Sequence, residues 1–170
     1  MLLPASPFQT WLTHNLLSNT LRGHFAEFLV GLAVGADHST GRHEWDNYDV
    51  ITPSGKTLEV KSSAYHQQWH NGTPSKIGFG IAPKALYSEE ARAWGSTKGR
   101  WADGYVFAVL GTPDGARPDP LNTDAWGFYV VPTPVLDAAV GDRKRLSLAA
   151  LEEITGRCRY EDLAARVKSC

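Results

Sequence analysis

Apolar and polar positions along this chain recur with two periods, and each period marks a kind of element. From Leu21 the apolar residues Leu21, Phe25, Phe28, Leu29, Leu32 and Ala33 return every three or four positions, which is one stripe of an α-helix. Ser18, Asn19 or Thr20 can cap its start, so the pattern predicts a helix over roughly 19–34. A shorter helix near 8–17, carrying Phe8, Trp11 and Leu12, precedes it. Tyr48-Asp49-Val50-Ile51 and Lys56-Thr57-Leu58-Glu59-Val60-Lys61 are β-prone runs separated by Thr52-Pro53-Ser54-Gly55, a turn sequence, and together they predict a β-hairpin. Residues 63–78 are polar and read as a loop or short helix, and Ile77 to Ile81 alternates like a strand.

Gly104 to Leu110 is an almost unbroken β-prone run, the pattern of a central strand covered on both faces. A loop rich in Pro, Gly and Asp follows from Thr112 to Asp124, then a strand from Trp126 to Val131 closed by Pro132 and Pro134. Helices are predicted over 134–140, 147–154 and 160–167. Helix, strands, then helices is the order of an α/β (α+β) fold, a mixed sheet flanked by helices, and not of a regular βαβ repeat. At 170 residues, with neither an internal repeat nor a linker, the chain is expected to form one domain over 1–170.

The hairpin also carries the chemistry. A turn centred near Ser54 sets residues equidistant from it opposite one another, so Asp49 is expected to face Glu59. Like charges placed so close destabilise a sheet, and a divalent cation is their natural compensation. Lys61, two residues past Glu59, points to the same face, while Leu58 and Val60 point to the other. Hard cations such as Mg²⁺ take oxygen ligands, so two carboxylates beside a lysine have the makings of a phosphoryl-transfer site.

Asp49, a turn, then Glu59-Val60-Lys61 resembles the D…(D/E)xK motif of the PD-(D/E)XK nuclease superfamily, the restriction endonuclease-like fold. The resemblance spans roughly 20–131. It includes Glu27 on the helix before the hairpin and the later strand that begins Trp101-Ala102-Asp103-Gly104; Tyr48 stands where the motif is named for Pro. It implies an enzyme, a Mg²⁺-dependent nuclease hydrolysing phosphodiester bonds, with Mn²⁺ as a substitute metal and DNA as substrate. Asp49, Glu59 and the Val60 carbonyl would hold the metal, and Lys61 would position the attacking water or meet charge on phosphorus. Glu27 and a glutamine after the ExK strand, Gln68 ahead of Gln67, would complete the set. Cleaving both strands of a duplex favours a homodimer, and in so short a chain a protein partner could supply specificity. The alternative is a non-catalytic nucleic-acid-binding or assembly module of the same fold, which would be expected to have lost one of Asp49, Glu59 and Lys61. A third possibility is a metal-dependent hydrolase of small phosphate esters.

Blander assignments stand beside these. Asp49, Glu59 and Lys61 could be an exposed sheet face with ordinary ion pairs. Glu27 lies about 160° round the helix from the apolar stripe, where a solvated glutamate also sits. Asp46 competes with Asp49 but falls on the opposite strand face. His24, His38 and His43 lack zinc-site spacing, and no GxxxxGK[ST] loop occurs. Lys76, Lys84, Arg92, Lys98 and Arg100, interleaved with Trp94 and Trp101, would suit a DNA groove or a solvated face. Such a groove would have to be local, because 17 basic against 18 acidic residues leave no global positive field. Cys158 and Cys170 match no zinc motif and read as thiols of a reducing cytoplasm. The start lacks a basic n-region and no apolar run is long enough for a bilayer, so neither secretion nor membrane insertion is expected.

Overall fold

The computed structural model describes residues 5–39, 47–69, 72–88 and 92–170. Its first two elements are helices α1 (Ala5–His14) and α2 (Asn19–Val34). Ser18 caps α2 by accepting a hydrogen bond from the Leu21 N–H, and Gly35 closes it in the left-handed conformation at φ 73°. The strands β1 (Val50–Ile51), β2 (Thr57–Ala64), β3 (Gly78–Gly80), β4 (Lys84–Ser88), β5 (Ala93–Gly99), β6 (Gly104–Leu110) and β7 (Trp126–Pro132) follow. Helix α3 (Thr133–Val140), strand β8 (Arg145–Ser147) and helices α4 (Leu148–Ile154) and α5 (Tyr160–Ser169) come last. The expected mixed α+β architecture is the one found. Among the described residues no helix is long and apolar enough to cross a membrane.

The principal sheet has the order β1-β2-β6-β7. β1 is antiparallel to β2, β2 parallel to β6, and β6 antiparallel to β7. Every residue of β6 is buried, which is why its sequence shows no alternation. One face of the sheet carries Leu58, Val60, Val106, Ala108, Leu110 and Phe128 and packs against Ala26, Leu29 and Val30 of α2 and Leu163 and Val167 of α5. The other carries Tyr105, Phe107, Val109, Tyr129 and Val131 and is covered by Phe79 of β3, Leu136 of α3, Leu146 of β8 and Leu151 of α4. Phe79 meets Phe107 edge to face, with ring centroids 4.9 Å apart. Beyond β7 the main chain of Cys158 exchanges hydrogen bonds with Phe128, so that edge of the sheet is covered.

Three expectations change. The buried side of α2 is Arg22, Ala26, Leu29, Val30 and Gly31, whereas Phe28 and Leu32 of the predicted stripe are 45% and 55% exposed. Small Ala26 and Gly31 let this side approach other elements closely, and Phe28 instead lies against Phe25 and His38. The first helix begins at Ala5 and ends at His14, ahead of the predicted span. Two paired elements have no counterpart in the hydrophobic pattern: the antiparallel ribbon β4–β5 and strand β8, which pairs with β3.

Candidate active site

The hairpin register is set by its turn. Thr52 and Lys56 form the last main-chain pair, with Thr52 N–H to Lys56 O at 2.8 Å, and Gly55 N–H closes a β-turn on Thr52 O at 2.8 Å. The Thr52 hydroxyl accepts from Lys56 N–H at 3.0 Å. Gly55 takes φ 84°, the left-handed residue that a three-residue hairpin loop needs. The register that follows is Val50 opposite Leu58 and Ile51 opposite Thr57, as the turn sequence predicts.

Asp49 departs from the simple cross-strand picture. Pairing ends at Val50, and the Asp49 N–H donates to Leu58 O at 2.9 Å. Its carboxylate Oδ2 accepts from the Val60 N–H at 2.8 Å, so it caps the edge of β2. The main chain leaves the ladder at Asp49, and the side chain takes the N–H that a further β1 residue would have taken. In a strand the N–H and C=O of one residue point to the same edge, so the Val60 carbonyl is directed to the side where Asp49 lies.

Glu59 is buried, 5% exposed, beside Tyr105 of β6. Its Oε1 accepts from Lys61 Nζ and from Lys84 Nζ, the latter at 2.7 Å. Burial pushes the Glu59 carboxyl pKa up, but the ammonium groups of Lys61 and Lys84 outweigh it and hold the group below its ordinary range. Tyr105 is shifted the other way, upward, by its own burial and by the Glu59 charge. The two acids are therefore compensated by protein groups: Glu59 by two lysines, Asp49 by a main-chain N–H.

Lys61 sits in line with Phe107 and its side chain is 24% exposed. Lys84 arrives from a separate element, the first residue of β4, with its side chain 65% exposed. The sequence marks Lys84 only as one basic residue among several, because nothing local says which strand the ribbon lies over. Asp49 and Glu59 with the Val60 carbonyl form a set of hard oxygen donors, the kind Mg²⁺ takes, so these residues fit that metal. A cation using Glu59 Oε1 would compete with the two lysines. Among the described residues no group of three or more His, Cys, Asp and Glu side chains is placed to hold a metal.

The remaining predicted residues divide. Glu27 lies on α2, which meets the sheet on the Leu58/Val60 face, the face opposite Glu59 and Lys61. Its side chain is only 16% exposed, more covered than the helical wheel implies, and His24 Nδ1 is 3.6 Å from its carboxylate. Gln68 is exposed and donates to Asn15 Oδ1 at 3.2 Å, on the α1–α2 connection and not on the hairpin. Gln67 turns to Ala64 O and to Arg22, whose guanidinium donates to it at 2.9 Å. Burial lowers the Arg22 pKa to about 10, which leaves it cationic at neutral pH.

Arg100 is removed from any groove. Its side chain, 3% exposed, is fixed by Asp137 and by the carbonyls of Ile81, Gly141 and Arg143. Trp94 and Trp101 are 59% and 39% exposed, and Lys76, Arg92 and Lys98 are exposed. Asp46 and His43 lie outside the described residues. The sequence matches no protein-family model and no curated protein.

Proposed function

We propose that this chain is a metal-dependent phosphodiester hydrolase whose site is the β1–β2 hairpin. Its particular activity, on this proposal, is that of a PD-(D/E)XK-type DNA endonuclease, with the cut duplex favouring a dimer. The observation that carries the proposal is the placement of Asp49 on the Val60 N–H with Glu59 and Lys61 on either side of Val60, which puts two carboxylates, a carbonyl and a lysine around one residue of β2. Asp49, Glu59 and the Val60 carbonyl would hold Mg²⁺, or Mn²⁺ in its place. When bound, the metal would supply Lewis acidity toward a phosphate and a water acidic enough to attack it. Lys61 holds that water in line or meets the negative charge growing on phosphorus. Burial of Glu59 excludes solvent from one side of the site and strengthens its electrostatics. The resemblance adds Glu27, on the helix that covers the Leu58/Val60 face, and Gln68, which donates to Asn15 Oδ1; neither takes a step in this proposal.

The test incubates purified protein with supercoiled circular and linear DNA, with Mg²⁺ or with EDTA. Cleavage is expected only with the metal and only while Asp49 and Lys61 are intact. Cleavage that persists in EDTA, in Asp49→Ala or in Lys61→Ala would sink the mechanism. DNA binding with no cleavage under any metal would leave the non-catalytic module.

A further inference from the structure

We infer that Lys84 is a resident competitor for the cation at Glu59, displaced when metal enters and then free to hold a phosphate of the substrate. This rests on the metal-dependent proposal above. A single oxygen of a carboxylate whose side chain is 7% exposed accepts two ammonium groups, so the protein supplies the charge that a metal supplies in a loaded site. A divalent cation placed there meets two like charges at short range, and expelling one ammonium relieves that repulsion.

The two lysines are not equally able to leave. Lys61 projects from β2 in line with Phe107 of the buried strand β6, and is mostly covered. Lys84 is 65% exposed and opens a ribbon whose second strand is exposed from Ala93 to Lys98. Water can take its ammonium at little cost. The Trp101 indole N–H donates to Lys84 O at 2.7 Å, which anchors the main chain there, so displacement moves the side chain and not the strand. The freed ammonium stays at the solvent side of the site, from which a phosphodiester must approach, and a lysine ammonium binds phosphate as a compact charge.

Calorimetric titration of Mn²⁺ into the full chain without nucleic acid tests the competition. Lys84→Ala is expected to bind Mn²⁺ about two- to five-fold tighter than the parent, the range of an exposed ion pair. Lys98→Ala, which removes one ribbon charge without touching Glu59, is expected to bind as the parent does. An unchanged or weaker affinity in Lys84→Ala, or equal tightening in both variants, overturns the competition. If the parent binds no Mn²⁺ at all, the metal-dependent proposal fails and takes this inference with it. For the second half, DNA affinity is measured against salt in Ca²⁺. Lys84→Ala should reduce the slope by about one phosphate contact, and an unchanged slope refutes the phosphate role.

Discussion

Glu59→Gln separates a carboxylate kept for chemistry from one that holds the fold. In the parent its carboxylate is almost wholly covered, yet the two ammonium groups on it are 24% and 65% exposed on their own side chains. Neutralising Glu59 therefore strands no fully buried cation, because Lys84 can turn to water and Lys61, though mostly covered, keeps the glutamine oxygen as an acceptor. What is lost is two partly exposed ion pairs, about 0.2–1 kcal/mol each. What is gained is relief from keeping a charge in a covered site, which opposes that loss. Glutamine preserves the shape and an acceptor oxygen, so the net change in unfolding free energy should be about 1 kcal/mol or less. Leu58→Ala, the neighbouring residue at 0% exposure, should cost about 2–5 kcal/mol in the same measurement. Urea unfolding followed by tryptophan fluorescence reads both, with Trp126 buried in the first core cluster. A loss of about 3–5 kcal/mol in Glu59→Gln, the cost of breaking a buried pair, would refute the reasoning. The acid limb gives an independent check. The folded-state pKa of Glu59 lies below its unfolded value, so its ionisation stabilises the fold above about pH 4.3, and that stability is lost as pH falls through the folded value. Glu59→Gln should make stability less dependent on pH below that point.

Other outcomes follow from features of the same scaffold. Mg²⁺ at 100 times its dissociation constant should raise the unfolding free energy by about 2.7 kcal/mol, a gain absent in Asp49→Ala and reversed by EDTA. Gly55→Ala should cost about 1–2 kcal/mol by thermal melting, since nothing crowds the position and only the left-handed backbone objects; Gly55→Asn should cost less. Arg100→Met should cost about 3 kcal/mol, as the carbonyls of Ile81, Gly141 and Arg143 lose their donor, and hydrogen exchange should rise first around Gly141 to Arg143.

What could be read in the sequence was what local chemistry decides. The turn Thr52-Pro53-Ser54-Gly55 carried the hairpin register, because a left-handed glycine at the end of a short loop leaves one pairing. Continuous apolar residues marked β6 as central, because burial on both faces removes alternation. The buried side of α2 was misplaced, since the larger Phe28 and Leu32 outweighed Ala26 in the pattern, although small residues are the ones that fit closely against the sheet. The β4–β5 ribbon left no pattern because β5 is exposed along almost its whole length and β4 is only partly covered, so neither imposes an alternation. Lys84 could not be assigned to Glu59 for that reason, and Asp49 was set opposite Glu59 because the ladder was extended one residue too far. Gln68 sits in a stretch whose path depends on contacts with the α1–α2 connection, distant in sequence.

The parallel pairing of β2 with β6 has a consequence in time. The contact beside it, Thr57 to Asp103, joins residues 46 apart along the chain. A two-stranded hairpin alone is marginal in water. During synthesis Glu59 and Lys61 must therefore wait, solvated, until the hydrophobic run at 104–110 has left the ribosome and can dock. Ordering of β2 belongs to the slow, non-local part of folding, so Glu59 and Lys61 take their places only after residues 104–110 have docked.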